Sequence, residues 1–252
     1  MLEQKKLAYF LPNLFTAFNL GCGFFSILES FKGHYYSAAI LIVIGVVFDL
    51  LDGRVARLLG AQSLFGEQFD SLSDLVTFAL APSLLFYQAF MQESGRVGIV
   101  VSFFYCLSGA LRLARFNANI NVTPSNYFQG LPSPGAAMGV VGYILFLKNF
   151  ESIPTWIVTL SPCYLLFYSI LMVTSIPFPS FKKSEWINQN KKKTLFFILT
   201  IVLLIITNEE MMLFIVISSY VLISIFLYIK NHKKSIHELI DEREDEENEK
   251  FT

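Results

Sequence analysis

Residues Phe48–Asp74 read FDLLDGRVARLLGAQSLFGEQFDSLSD, and this stretch decides how the chain can fold. It places four carboxylates at the ends of two strongly apolar segments, and these are Asp49, Asp52, Asp70 and Asp74. An ionised carboxylate is costly to place in hydrocarbon, and four of them close together repel one another. Cations must therefore neutralise them. The stretch predicts a metal site at membrane depth.

The spacing of the four acids predicts two facing pairs. Asp49 and Asp52 are three residues apart, and Asp70 and Asp74 are four apart, so each pair lies on one face of a helix. Antiparallel packing of the two helices would bring the pairs together. Carboxylate oxygens favour Mg²⁺ or Mn²⁺, and four acids suggest two ions. Two such ions suit phosphoryl chemistry, because together they can clamp a diphosphate.

Small residues and one arginine accompany the acids. Gly53 and Ala56 would let a large group approach the backbone, and Gly66 would allow close packing or a bend. Arg57 lies one turn beyond Gly53, where its guanidinium could bind phosphate oxygens. One of the acids could act as a general base toward an attacking hydroxyl. In the alternative interpretation the acids only pair with Arg54 and Arg57, but two arginines leave charge uncompensated.

Composition indicates that most of the 252-residue chain lies in lipid. The chain is 54% hydrophobic and 15% charged, whereas a soluble domain has roughly 25% charged residues. About 20 apolar residues span a bilayer. Eight segments qualify as spans: Leu11–Phe31, Tyr36–Leu51, Phe69–Met91, Val97–Ala118, Pro134–Lys148, Ile153–Ile176, Thr194–Thr207 and Met211–Ile229. The second helix must run past its span if it carries Gly53.

The distribution of basic residues predicts the orientation of these spans. With the N-terminus in the cytoplasm, 16 of the 19 Lys and Arg fall on the cytoplasmic side. Only Lys32, Arg96 and Lys148 fall outside, as the positive-inside rule predicts. Both termini and the aspartates are then cytoplasmic in a multi-pass protein of the cell's inner membrane. The basic loop Lys182–Lys193 is interpreted as attracted to anionic lipid, and no nucleic-acid partner is expected.

The motif D-x2-D-G-x2-A-R-x8-G-x3-D-x3-D, from Asp49 to Asp74, resembles at all eight positions the signature of the CDP-alcohol phosphatidyltransferase family. The resemblance implies an all-α integral membrane enzyme in which an alcohol displaces CMP from a CDP-linked lipid. By family analogy the four aspartates bind two divalent cations, Mg²⁺ or Mn²⁺, and Asp74 is also the base. Gly53, Ala56 and Arg57 would line the CDP pocket, with Gly66 beside them.

Other stretches resemble one branch of that family, the membrane-type phosphatidylserine synthases. They are PNLFTAFNLGCGFFSI from Pro12, DSLSDLVTFALAPSLL from Asp70, GALRLARFN from Gly109 and YFQGLPSPGAA from Tyr127. This resemblance implies that CDP-diacylglycerol and L-serine give phosphatidylserine and CMP. It also implies a homodimer.

The resemblance further implies how the chain is divided. A six-helix catalytic core would span residues 11–176, after a cytoplasmic N-terminal segment at 1–10. A basic cytoplasmic loop would follow at 177–193, then two additional helices at 194–229. A charged cytoplasmic tail would occupy 230–252.

Two polar residues of the first helix are candidate nucleotide ligands. Asn13 and Thr16 share one helical face near the cytoplasmic entrance and could hydrogen-bond the nucleotide. The alternative is that they only satisfy the start of a helix that has Pro12 in its first turn.

Four further residues are candidate ligands for the serine carboxylate or the lipid phosphates. Arg112 and Arg115 end the fourth helix and Asn117 follows, so they could supply positive charge and a donor beside the metals. The alternative is ordinary anchoring by positive charges. Gln129 begins a turn-rich stretch that could close over the alcohol site or could be a plain connection.

Two rival functions remain open at this point. A sister transferase using glycerol 3-phosphate or inositol phosphate would share the core motif, which handles only the CDP half. A divalent-cation transporter would use the acid cluster as its ion site, but it predicts acids near the midplane and broken helices there.

Overall fold

The computed structural model describes residues 2–118, 127–148, 150, 153–179, 207–208 and 211–230. These residues are almost entirely helical. Some predicted features lie outside the described residues: the seventh span Thr194–Thr207 except its last residue, the basic loop Lys182–Lys193, and the tail after Lys230.

The described residues include eight α-helices. They are α1 (Leu2–Phe31), α2 (Tyr35–Leu59), α3 (Leu64–Asp74), α4 (Ala81–Phe86), α5 (Gly95–Ala118), α6 (Ser133–Lys148), α7 (Thr155–Val173) and α8 (Met211–Lys230). A π-helical segment, Leu75–Leu80, joins α3 to α4 without a break, and a second, Tyr87–Met91, continues α4 into a 3₁₀ turn at Gln92–Ser94. The sequence analysis did not predict these π-helical segments, which are rare and are frequent at functional sites.

Helices α1 and α2 form an antiparallel hairpin. The Ser26 hydroxyl donates to the Ala38 carbonyl at 2.8 Å near the turn, and the Thr16 hydroxyl meets Asp52 at the other end. Between them Gly45 packs so closely that a Cβ atom there would lie 3.1 Å from Asn19 Oδ1. The small residue therefore lets α1 bring polar side chains against the acidic end of α2.

Helix α5 folds back along the α3–α4 helix. A Cβ atom on Gly98 would lie 2.5 Å from the Met91 carbonyl oxygen, and one on Gly109 would lie 2.5 Å from the Cβ of Ala79. These two contacts run in opposite order along the chain, so the helices are antiparallel. The close packing carries the end of α5, with Arg112 and Asn117, toward the start of α3.

Helix α6 is the central helix of the described bundle. Buried residues occur on every face of α6 between Ala136 and Leu147. Gly139 is covered by the ring of Tyr168 from α7, and Gly142 lies against the backbone of Phe214 in α8. An all-round apolar helix of this kind is expected where other helices cover every face.

The all-α prediction omitted one short antiparallel ribbon. Strand β1 (Tyr127–Gln129) pairs with β2 (Pro177–Pro179), with Gln129 opposite Pro177. Gly130 follows at φ +75°, and a Cβ there would lie 2.5 Å from the Met172 carbonyl oxygen. The ribbon fastens the connection before α6 to the end of α7. Helix α7 ends at Val173, three residues before the end of the sixth predicted span at Ile176.

Among the described residues, four helical stretches are long and apolar enough to cross a membrane, and these are Phe10–Phe31, Leu64–Ala118, Thr155–Val173 and Met211–Lys230. The stretch Leu64–Ala118 contains the reversal between α4 and α5. Helix α6 is apolar but shorter. The chain is thus a mostly helical protein with four candidate membrane spans, and the count of eight stays a prediction.

Candidate active site

The four aspartates come together between the C-terminal part of α2 and the C-terminal half of α3. Gly60, in the left-handed conformation at φ +60°, ends α2, and its N–H donates to the carbonyls of the preceding turn. Ser63 caps α3 by accepting a hydrogen bond from the Gly66 N–H at 3.0 Å. This four-residue turn reverses the chain, so the acidic faces of α2 and α3 point at each other, as the spacing predicted.

Three of the carboxylates form one tight group. An oxygen atom from each of Asp49, Asp70 and Asp74 lies within 4.8 Å of the other two. The carboxylates also face each other in pairs: Asp49 faces Asp74, and Asp52 faces Asp70. Asp52 therefore lies next to the tight group. The geometry can therefore offer oxygen ligands from all four residues to a small cluster of cations.

Polar side chains of α1 hold two of these carboxylates. The Thr16 hydroxyl lies 2.7 Å from Asp52 Oδ2 and 3.2 Å from the Pro12 carbonyl, and its single hydrogen favours the shorter contact to the charged acceptor. The Asn19 amide donates to Asp74 Oδ1 at 3.2 Å. The sequence analysis missed Asn19 as a site residue. Its signal was a polar residue one turn beyond Thr16 in an apolar helix.

The interpretation that the acids only pair with arginines is wrong for the described residues. Among the residues whose side chains the structure describes, no Lys or Arg forms an ion pair with any of the four carboxylates. The ion pairs found there, Lys32–Glu29 and His34–Glu29, lie at the opposite end of α1. One oxygen, Asp70 Oδ1, is buried without a hydrogen-bond partner. Four clustered carboxylates without an ion-pair partner among these residues, together with an orphaned acceptor, fit a site for divalent cations.

A cavity of 240 Å³ opens beside the carboxylates, between α1, α2 and α3. All six residues predicted to contact the CDP group line it, and they are Asn13, Thr16, Gly53, Ala56, Arg57 and Gly66. Asp52 and Asp70 form its acidic wall. Six of the eight motif residues therefore line one volume in which a diphosphate could meet Asp52, Asp70 and Arg57.

The small residues of the motif shape this cavity. The Arg57 guanidinium lies over Gly53, where a Cβ atom would be 3.8 Å from Nη1. Gly66 faces α1, and a Cβ atom there would be 3.4 Å from Asn13 Oδ1. A larger residue at Gly53 or Gly66 would fill the space between the arginine and the polar side chains of α1.

The four residues predicted to bind the serine carboxylate or the lipid phosphates lie in different parts of the structure. Arg112 is buried, donates from Nη1 to the Ser133 hydroxyl at 2.8 Å, and its Nε has no partner. It is close enough to Asp74 for their charges to interact. Asn117 lines the cavity and donates to the Ser71 hydroxyl at 2.9 Å. These two residues therefore flank the carboxylates from the α5 side.

The other two acceptor candidates, like Arg112, do not line the cavity. Arg115 donates from Nη1 to the Val173 carbonyl at 2.9 Å, at the end of α7. Gln129 is exposed on β1. Arg115 thus fastens α5 to α7, and neither residue is among those that line the cavity beside the aspartates.

Comparisons with known proteins agree with this site. The sequence profile of the family described as CDP-alcohol phosphatidyltransferase matches residues 9–168. The chain is 39% identical over 178 residues to a CDP-diacylglycerol–serine O-phosphatidyltransferase of Helicobacter pylori, covering 71% of this chain and 75% of that protein. It is 36% identical to the Bacillus subtilis protein of the same name, covering 69% and 92%. It is 37% identical to an archaetidylserine synthase of Methanothermobacter thermautotrophicus, covering 71% and 74%.

The carboxylate cluster predicts that removing one acid raises the unfolding temperature when divalent cations are absent and lowers it, relative to the parent protein, when they are present. In EDTA, Asp70→Asn should unfold at a higher temperature than the parent protein, because it relieves repulsion among uncompensated charges. With Mn²⁺ the order should reverse, since a ligand of the folded state adds about 2.7 kcal/mol at a hundredfold excess over its Kd. The measurement is the thermal-unfolding midpoint in detergent.

Glu93→Gln is the matched control, because it removes one exposed carboxylate in the turn before α5. It should leave the response to Mn²⁺ unchanged. A parent protein that Mn²⁺ does not stabilise, or an Asp70→Asn variant that responds like the parent, would contradict the metal site.

Proposed function

Because the chain belongs to the CDP-alcohol phosphatidyltransferase family, we propose that it transfers the phosphatidyl group of CDP-diacylglycerol to L-serine, giving phosphatidylserine and CMP. The observation that carries this proposal is that six of the eight motif residues line one cavity, while the other two, Asp49 and Asp74, join Asp70 in the tight carboxylate group beside it. The serine acceptor is supported by the names of the relatives.

The four aspartates would hold two divalent cations, Mg²⁺ or Mn²⁺. When bound, such ions would neutralise the diphosphate and stabilise the charge that develops on the departing CMP. Asp49, Asp70 and Asp74 supply the tight group of oxygens. Asp52 would join them while the Thr16 hydroxyl fixes one of its oxygens.

The 240 Å³ cavity would bind the CDP group. The Arg57 guanidinium carries the positive charge and the paired N–H donors that phosphate oxygens accept. Asn13 adds an amide on the α1 side of the same cavity. On the α2 side of the cavity, Gly53 and Ala56 are small, so the nucleotide can approach the α2 backbone there.

Asp74 would act as the general base. It would take the proton of the serine hydroxyl, and the serine oxygen would form a new bond to the phosphorus that carries the lipid. The bond from that phosphorus to the CMP oxygen would break, and CMP would leave with the electron pair. No covalent enzyme intermediate is needed, because the attacking oxygen comes from serine.

Arg112 and Asn117 would bind the acceptor. Arg112 is buried close to Asp74 and has an Nε–H without a partner, which suits a carboxylate that enters with the serine. A phosphorylated acceptor would need further positive charge. Arg115 donates its Nη1 hydrogen to a backbone carbonyl, so we now assign it to fastening the helices.

We also propose the membrane arrangement that the charge distribution predicts. The core at 11–176 and the helices at 194–229 would give eight spans in the inner membrane. Both termini and the aspartates would face the cytoplasm, and two copies would form a homodimer. Single cysteines placed at Lys32 and Lys230 would be labelled from opposite sides of a sealed vesicle. Labelling of both from one side would overturn this arrangement.

Turnover should depend on the proposed base. Asp74→Asn should lower CMP release from CDP-diacylglycerol and L-serine by about 10²-fold or more, the usual contribution of a general base and here combined with the loss of a metal ligand. Asp70→Asn should also abolish turnover, while Glu93→Gln should retain it. The assay measures CMP released by the purified protein in detergent with Mn²⁺. Retained activity in both aspartate variants would overturn the proposed roles.

The acceptor role of Arg112 predicts a selective change in substrate use. Arg112→Gln should raise the KM for serine by about tenfold to a hundredfold, as expected for one lost hydrogen bond to a charged group. The KM for CDP-diacylglycerol should stay near that of the parent. Arg96→Gln, at the opposite end of α5, is the control. A rise in the KM for the lipid alone would instead assign Arg112 to a lipid phosphate.

A further inference from the structure

One buried side chain contacts the proposed base without belonging to the family motif. Asn19 lies in α1, is fully buried, and donates from Nδ2 to Asp74 Oδ1 at 3.2 Å. Its other polar atom, Oδ1, is buried without a hydrogen-bond partner. The hydrogen bond to Asp74 is thus the polar contact that its buried amide makes among the described residues.

The surrounding structure holds Asn19 in one place. The Thr77 hydroxyl, in the π-helical segment directly after Asp74, donates to the Asn19 carbonyl at 2.9 Å. Gly23 and Gly45 allow this approach, since a Cβ atom on either would lie less than 3 Å from an atom of Thr77. The backbone of Asn19 and the helix that carries Asp74 are therefore fastened to each other.

We propose that Asn19 is a positioning residue that orients the Asp74 carboxylate for proton transfer and metal binding. The inference rests on the proposed function and adds to it a residue outside the motif. Asn19 donates one hydrogen bond and carries no charge. It can therefore fix one oxygen of Asp74 while the full negative charge stays available for a proton or a cation.

The unpartnered oxygen argues against a purely structural role. A buried amide that only joined two helices would be expected to satisfy both its donor and its acceptor, because an unsatisfied buried polar atom is unfavourable. Here the donor is used on Asp74 and the acceptor is left without a partner. The Asn19 side chain therefore makes its hydrogen bond to an oxygen of the proposed base.

Asn19→Leu tests this role, because leucine has a similar branched shape and no donor. Asn19→Ala, which only removes atoms, is the second variant should leucine not fold. Ser26→Ala is the matched control. It removes another buried hydrogen bond from α1, the 2.8 Å bond to the Ala38 carbonyl, two turns from Asn19. The readouts are kcat and KM for both substrates, and the Kd for Mn²⁺ from the free Mn²⁺ signal in electron paramagnetic resonance.

Both Asn19 variants should lower kcat and weaken Mn²⁺ binding by about tenfold to a hundredfold, the range for one hydrogen bond to a charged group. At saturating Mn²⁺ the KM for CDP-diacylglycerol should stay within about threefold of the parent value, since Asn19 does not line the cavity proposed to bind the CDP group. Ser26→Ala should lower the unfolding temperature alone.

Two results would overturn the role of Asn19. The first is parent-like kcat and Mn²⁺ affinity in both Asn19 variants. The second is an equal loss in Ser26→Ala, which would assign the effect to general destabilisation. If the parent protein releases no CMP with serine, the proposed function fails by itself. The Mn²⁺ Kd values then decide the role of Asn19 alone.

Discussion

Four carboxylates contact one another inside a largely apolar helical bundle, and the described residues place no basic side chain within ion-pairing distance of them. This constraint explains much of the surrounding structure. Gly60 reverses the chain so that α2 and α3 face each other, and glycines in α1 and α2 let polar side chains approach the acids. Without cations the cluster would repel itself. The same ions that serve the reaction would therefore also stabilise the fold.

Asp74 lies between two differently built sides of the site. On one side, α1, α2 and α3 enclose the cavity lined by the motif residues, which suits the CDP group shared by the whole family. On the other side, α5 supplies Arg112, which is held by Ser133 at the start of α6. The part of the site that suits the CDP group is thus formed by motif residues that lie close together in the sequence. The acceptor half depends on contacts between distant helices.

This difference explains how much could be predicted from the sequence. Helical spacing correctly brought Asp49 and Asp52 to face Asp70 and Asp74, because one short turn joins their helices. Asn19, by contrast, meets Asp74 across 55 residues, and local spacing carries no information on such a pairing. The same reason accounts for the unpredicted ribbon, which places Gln129 on an exposed strand. The π-helical segment after Asp74 leaves no periodic signal in an all-apolar stretch.

If this site joins a CDP-linked lipid to serine, the identity of the lipid product will show it. The purified protein would receive CDP-diacylglycerol, Mn²⁺ and equal concentrations of L-serine, glycerol 3-phosphate and inositol phosphate, and mass spectrometry would identify the lipid formed. The account predicts phosphatidylserine with an equal amount of CMP. A lipid carrying glycerol phosphate or inositol phosphate would keep the fold and the metal site but contradict the acceptor. No lipid product from a folded, Mn²⁺-binding protein would contradict the proposed activity itself.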